Sequence, residues 1–434
     1  MSASADCRAQ LGIDRAAREG FLPAKPLWSP RVEGTDTGEA TTSSPRNGGA
    51  PRIGLALSGG GVRAATFHIG VLRRLAADGL LEQVSVVSTV SGGSLVTAAI
   101  MSGSGMAWPS STDFLTKVYP AVRARMTSCD LFSLGAIGWR GLLDFNVGLI
   151  RDRASVLARL LERNWGVSGT LADLPNAPHW LINATCIETG KNWRFAKREM
   201  GDWNFGRHYA PEVPLAVAAA ASAAVPYVIG AVNLPLPPAG WWETDPATGK
   251  QVRTRAPSRD RVRLWDGGAY DNMGLEAVTK PGKGLRHCDF LICSDASGPL
   301  RPPGRSPLAA LLGGRLSSPR LFDVAGDQIR ALRSRVLIAD IASGTVDGVL
   351  LRMGNSVRAV DVKNGLGRPV GFYDRFQTDE QAATALQYPT DLRALSAAGF
   401  DALARQGFEV ADATLTTYAA PRFGTPHFWQ DHRS

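Results

Sequence analysis

The chain has 434 residues, enough for one large domain or two to three average ones around a substantial buried core. A composition of 44% hydrophobic and 20% charged residues excludes a wholly disordered or membrane-embedded chain. Five scattered cysteines without a CxxC pair argue against a disulfide scaffold or a cysteine-rich zinc module. The net charge of +9 comes from basic residues dispersed among acids with no run of five, which argues against nucleic acid as a partner.

The first twenty residues lack the apolar stretch of a secretory signal. Residues Ser29 to Arg52 are rich in Ser, Thr, Gly and Pro, so 1–52 is expected to be a flexible leader and the folded domain to begin at Ile53. Ile53 to Leu57 is a short apolar run that predicts a buried parallel strand. Val62 to Ala77 places Phe67, Val71 and Leu75 on one helical face. Val84 to Val90 is β-branched and predicts a second strand, followed by a helix over Ser94 to Met101. Leu131 to Ile150 is nearly long enough to span a bilayer, but Arg140 and Asp144 would each cost roughly 2.5–3.5 kcal/mol at its centre. That stretch reads as a buried core helix or as an interfacial lid carrying Trp139, Leu142, Leu143 and Phe145, with the core reading preferred.

Further on, Arg153 to Asn164 and Asp323 to Leu337 predict amphipathic helices, with Arg330, Arg333 and Arg335 on a solvated face. Trp180 to Thr185, Arg263 to Trp265 and Asp289 to Cys293 predict strands, while Pro226 interrupts the Ala-rich stretch from Val213 to Val232. Alternating strands and helices imply a layered α/β domain with a mostly parallel sheet.

Three segments carry chemistry. The first joins strand to helix through Ser58-Gly59-Gly60-Gly61-Val62-Arg63. Three glycines permit positive φ, so that backbone N–H groups can converge at a helix N-terminus and hold an anion. The loop lacks the Gly-Lys-Ser/Thr of a P-loop and the GxGxxG of a dinucleotide fold, leaving an oxyanion hole or a tightly packed turn. The second is Thr89-Val90-Ser91-Gly92-Gly93-Ser94, a strand running into a serine followed by small residues and a helix. This pattern suits a strained turn that projects a nucleophile, although Thr89 stands where G-x-S-x-G has its first glycine. Ser88 and Ser94 are further candidates, and Ser94, or Ser91 itself, also fits as the N-cap of the helix.

A serine nucleophile needs a base. Of the six histidines, His68 falls in an apolar helical stretch, His427 and His432 in the polar tail, and His287 just ahead of a strand. One carboxylate has a motif around it. Asp266-Gly267-Gly268 closes the strand Arg263-Leu264-Trp265, at the strand end where ligand sites of parallel sheets gather, though Asp-Gly is equally a turn dipeptide.

The glycine loop, the Ser91 turn and Asp266-Gly267-Gly268, in that order, resemble the patatin-like phospholipase family and the related catalytic domain of cytosolic phospholipase A2. Ala221-Ser222-Ala223-Ala224-Val225-Pro226 and Asn183-Ala184-Thr185 resemble further segments of that family, over roughly Ile53 to Ser297. The resemblance implies a three-layer α/β/α fold over 53–300, with 301–434 a C-terminal extension packed on it. It implies a lipid acyl hydrolase with Ser91 as nucleophile, Asp266 as base, and an oxyanion hole at Gly59, Gly60, Gly61 and Arg63. Arg63 would either brace the loop or face a lipid phosphate. The substrate would be a phospholipid or other acyl ester, met by peripheral contact of a cytoplasmic protein with a membrane. No cofactor, metal or nucleic acid is expected. A Ser–Asp–His esterase using His287 or His427, and a catalytically silent lipid-binding protein on the same fold, are the alternatives.

Overall fold

Every residue of β1 (Ile53–Leu57) is buried, because parallel strands flank it on both sides and helices cover both faces. The chain, seen in a computed structural model, is described over residues 51–131, 153–226, 228–244, 251–300, 318–423 and 426–432. The expected leader, apart from its last two residues, and the stretch 131–150, apart from Leu131, lie outside the described residues.

From β1 the chain turns into α1 (Gly61–Ala77), returns as β2 (Val84–Val90), and turns again into α2 (Gly92–Gly103). After α3 (Arg153–Trp165) comes β3 (His179–Cys186), and then a ribbon of β4 (Asn192–Phe195), β5 (Glu199–Asp202) and β6 (Gly206–Tyr209). Helix α4 (Leu215–Ser222) is followed by β7 (Val232–Pro235), β8 (Trp241–Thr244), β9 (Gln251–Arg255) and β10 (Arg261–Asp266). A small hairpin of β11 (Thr279–Lys280) and β12 (Gly284–Leu285) precedes β13 (Phe290–Asp295). Helix α5 (Ser318–Ala342), β14 (Gly348–Arg352) and the long helix α6 (Ala397–Tyr418) complete the core.

One sheet runs in the order β14-β13-β1-β2-β3-β4-β5-β6-β8-β9, with β10 and β7 branching from β3. The five central strands, β14 to β3, are parallel. The strands beyond β3 pair antiparallel, which their short lengths and tight connections require.

Alternation along β1 sends Ile53, Leu55 and Leu57 into the larger core with α1, α2 and α6, and Ala56 into a second core with Leu337 of α5. The sheet is therefore covered on both faces. Helices α1 and α6 meet backbone to backbone. A Cβ added at Gly70 would lie 1.8 Å from the Ala404 carbonyl, and one at Gly407 would lie 2.0 Å from that of Phe67. β14 extends the central sheet beyond β13, and α6 packs on α1.

β1 sits between β13 and β2, so strand order reverses there and the loops after β1 and β13 part at the carboxyl end of the sheet. Open α/β sheets place their ligand crevice at such a point. Among the described residues no helix is long and apolar enough to cross a membrane.

Candidate active site

Ser91 follows β2 with φ 49° and ψ −117°, a sparsely populated conformation that costs a non-glycine residue of order 1–3 kcal/mol. Helix α2 starts directly after it at Gly92, so Ser91 takes the N-cap position while its side chain makes no capping bond. Ser94 is not the N-cap expected of it. It lies inside the first turn, where its hydroxyl pairs with Thr89 Oγ1 at 2.7 Å and Ser222 Oγ at 2.8 Å. Ser88 is spent on packing too, its hydroxyl donating to the Gly274 carbonyl at 2.6 Å.

Thr89 departs from the usual glycine, yet the strained turn survives. The Thr89 hydroxyl is buried, accepts the Trp180 indole N–H at 3.0 Å and joins Ser94, so the larger residue is absorbed into a polar network beneath the turn. Ser222 anchors that network. Its Oγ accepts the Ser91 N–H at 3.0 Å and donates to the Asn183 carbonyl at 2.6 Å, while its own carbonyl accepts the Gly267 N–H at 3.2 Å. One buried serine thus ties the Ser91 turn to the Asp266 turn. Nothing in its sequence neighbourhood beyond the family-like stretch singles it out.

Ser222→Ala is expected to orphan buried donors and acceptors and to cost about 2–4 kcal/mol in chemical denaturation. Catalytic efficiency is expected to fall about 10–100-fold as the turn loosens. An unchanged denaturation midpoint together with unchanged kinetics would contradict this role.

Asp266 arrives from β10, whose register against β3 sets Asp266 opposite Ala184. It is buried; its backbone N–H donates to the Ala224 carbonyl at 2.9 Å, and its carbonyl accepts from Thr185 Oγ1 at 2.9 Å. Burial raises its carboxyl from 3.8 to about 6, against the opposing pull of the Gly268 N–H and the Ser91 side chain. The Gly268 N–H reaches Oδ1 at 2.7 Å. The structure therefore brings together Ser91 and Asp266, which lie far apart in sequence.

The glycine loop faces the same point. A Cβ at Gly59 would stand 3.0 Å from that of Ser91, and one at Gly92 would stand 2.3 Å from the Gly61 carbonyl. Gly60 (φ 142°) and Gly61 (φ 62°) hold conformations open to glycine alone at little strain. Gly59 donates its N–H to the Asn272 carbonyl and Val62 donates to the Asp391 carbonyl, both at 3.0 Å. Between them the Gly60 and Gly61 N–H groups have no protein acceptor among the described residues, and the positive end of α1 lies at that gap.

Arg63 is buried, its guanidinium close to Gly60. Its guanidinium donates to the carbonyls of Tyr388 at 2.8 Å and Ala296 at 3.3 Å, contacts that tie the loop to the C-terminal region. Tyr388 and Asp391 belong to the C-terminal region, which therefore buttresses the glycine loop directly.

The histidines stand elsewhere. His68 bridges the ends of β1 and β13, its ring nitrogens 2.9 Å from Ser58 O and Ser294 Oγ, and burial lowers it to about 4. His287 packs edge-on against His179 at the amino ends of the strands. His427 pairs with Asp78 beyond the far end of α1, a helix about 25 Å long.

Arg330 and Arg333, expected on a solvated face, are instead engaged behind the site. Arg330 reaches Asp295 at 3.4 Å, while Arg333 reaches Glu276 at 3.1 Å and Asp271 at 3.5 Å. Asp271 in turn accepts the N–H groups of Met273 and Glu276, so Arg333 stiffens the turn that follows Asp266. A polar cleft lined by Arg194, Arg207, Tyr270 and Lys280 opens next to that turn rather than on Ser91, with Arg207 paired to Glu199 and Lys280 to Glu276. No group of three or more His, Cys, Asp or Glu among the described residues could hold a metal ion.

Comparisons with known proteins bear on the fold and the family. The structure is similar to human GIVD cytosolic phospholipase A2, with a TM-score of 0.52 and 15% identity over 88% of this chain and 61% of that one. It is also similar to the same human enzyme in complex with methyl gamma-linolenyl fluorophosphonate and terbium chloride, with a TM-score of 0.50 and 16% identity over 88% and 60%. The chain thus spans about 60% of the length of those structures, and at such identities the likeness speaks for the fold. No curated protein sequence matches the chain. The sequence pattern of the patatin-like phospholipase family matches residues 55–279, just over half of the chain. The chain belongs to the patatin-like phospholipase family.

Proposed function

We propose that the chain is a lipid acyl hydrolase, a phospholipase A or close relative, that cleaves fatty-acyl esters through a Ser91–Asp266 dyad and a covalent acyl-enzyme. The observation that carries this reading is Ser91, strained at the tip of a strand–helix turn and close enough to the Asp266 carboxyl to oppose the burial that lifts it to about 6. Family membership supports the substrate class.

In the proposed mechanism the Ser91 hydroxyl proton moves to the Asp266 carboxylate as Oγ attacks the ester carbonyl. The tetrahedral oxyanion takes the Gly60 and Gly61 N–H groups at the N-terminus of α1, donors that need no reorganisation when charge develops. Asp266 returns the proton to the departing alcohol oxygen, leaving acyl-Ser91. A water molecule then gives its proton to Asp266 and attacks the acyl carbon, and collapse releases the fatty acid with Ser91 re-protonated. Raising a carboxyl from 3.8 to about 6 makes it a stronger base by about 3 kcal/mol while leaving it mostly ionised at neutral pH.

Two outcomes follow from that shift. Catalytic efficiency is expected to rise with pH through a midpoint of about 6 and then level off, without the histidine step of a Ser–Asp–His esterase. The sign for stability is opposite. Because the folded-state pKa lies above the unfolded one, the neutral carboxyl's contribution is complete below about 3.8 and is lost as pH rises through about 6. Asp266→Asn is therefore expected to abolish activity yet unfold at higher denaturant at pH 8, by up to about 3 kcal/mol. Mass spectrometry of products from a mixed-lipid digest, with rates taken from pH 4.5 to 8, tests the reading. Absence of any released fatty acid, or a pH-independent rate, would refute it.

A further inference from the structure

A backbone N–H and the carbonyl of the preceding residue share one rigid plane, so a hydrogen bond on the carbonyl aims the N–H. The glycine loop holds three such planes. At the first, the Ser58 carbonyl meets His68 Nε2 at 2.9 Å, while the Gly59 N–H reaches the Asn272 carbonyl at 3.0 Å. At the second, the Gly59 carbonyl accepts from Ser58 Oγ at 3.3 Å, and the N–H it aims is that of Gly60. At the third, the Gly60 carbonyl accepts the Ala64 N–H at 3.3 Å and aims the Gly61 N–H. Gly59 and Gly60 have no Cβ to resist rotation of these planes, so the loop depends on its anchors.

His68 reaches the root of the loop from the second turn of α1, and it is fully buried. Because a carbonyl can only accept, Nε2 carries the ring proton. Burial lowers the ring to about 4, so it is neutral wherever Asp266 is ionised, and Nδ1 accepts the Ser294 hydroxyl at 2.9 Å. Ser294 belongs to β13, and its carbonyl takes the Ser58 N–H at 3.1 Å. Ser58 Oγ also accepts the Ala296 N–H at 2.8 Å. These contacts select one tautomer of His68.

We propose that His68 is a positioning residue: its Nε2–H holds the Ser58–Gly59 peptide, so that Gly60 and Gly61 aim their N–H groups at the oxyanion. It touches no reacting atom and moves no proton. The role in catalysis rests on the lipid acyl hydrolase reading, whereas the anchor itself can be read without a substrate. Without that N–H the first plane keeps only its Asn272 contact, and the buried Ser58 carbonyl loses its donor. The hole donors then stray from the place where charge develops, which lowers kcat more than it weakens binding.

The test compares three variants of the full chain on a soluble short-chain ester, with folding followed by circular dichroism. Glutamine can place an amide N–H where Nε2 stands, asparagine only where Nδ1 stands, and leucine offers no donor. His68→Leu is expected to lower kcat about 100-fold with KM changed less than about threefold. His68→Gln is expected to stay within about tenfold of the unmodified kcat, and His68→Asn to fall with His68→Leu. A side chain that only filled the core would give the opposite order, since leucine is the apolar replacement. Nitrogen NMR of the histidine rings in the unmodified chain at neutral pH is expected to show the Nε2–H tautomer at His68. An Nδ1–H tautomer or an imidazolium there would overturn the proposal, and so would equal kcat in folded His68→Leu and His68→Gln. If the unmodified chain hydrolyses no ester, the hydrolase reading fails, while an Nε2–H tautomer still supports the anchor.

Discussion

Ser91→Ala is expected to lower kcat/KM for an acyl ester by at least about 10⁴-fold while the protein stays folded. The substitution keeps the backbone turn, because the Ser222 hydroxyl holds the Ser91 N–H rather than its side chain. What it removes is the Oγ that attacks the carbonyl, along with the pull of that side chain on the Asp266 carboxyl. Asp266→Asn is expected to reach a comparable loss by removing the proton acceptor. The double variant should then be little worse than Ser91→Ala alone, since residues that act as one unit do not contribute additively. Steady-state kinetics beside circular dichroism reads both effects. A folded Ser91→Ala protein with a tenth of the original activity would remove Ser91 from the chemistry.

The second large effect is expected at the glycine loop. A Cβ at Gly61 would lie 2.4 Å from the Asp391 carbonyl, and the residue holds φ 62°, which a β-branched side chain adopts only with strain. Gly61→Val therefore has to push away the C-terminal segment or reshape the loop. Either outcome moves the Gly60 and Gly61 N–H groups, and losing one such donor typically costs about 10²–10³ in rate. A stability loss of about 2–4 kcal/mol is expected with it, read from denaturation curves. Val62 also loses its 3.0 Å bond to Asp391 if the segment moves, so the two effects are coupled. A Gly61→Val protein with full activity would mean that the loop holds no oxyanion.

The parts of the fold that were legible in the sequence are those set by local chemistry. β1 and β2 span Ile53–Leu57 and Val84–Val90 as their apolar, β-branched runs predict. Three glycines, a serine before two glycines, and an aspartate before two more mark turns whose backbone demands are visible residue by residue. Contributions that depend on distant partners were not legible. The Ser222 hydroxyl matters because α4 ends against the Ser91 turn, 131 residues away. Whether Arg63 braces the loop or faces a lipid phosphate could not be read locally, because its partners are the distant carbonyls of Tyr388 and Ala296. Arg330 and Arg333 looked solvated because their carboxylates come from β13 and the turn after Asp266. The N-cap expected of Ser94 failed for a simple reason. Glycine carries no cap signal, yet α2 begins at Gly92. The antiparallel ribbon from β4 to β9 was also hidden, since strands of four or five residues give too little alternation to read.

The central claim is that Ser91, activated by Asp266 without a histidine, is the nucleophile. Reaction of the folded protein with an alkyl fluorophosphonate, followed by peptide mass spectrometry, addresses it most directly. The expected result is a single adduct on Ser91, formed at a rate that rises with pH through about 6 and is lost in Asp266→Asn. An adduct on another serine, or undiminished labelling of Ser91 in Asp266→Asn, would contradict it.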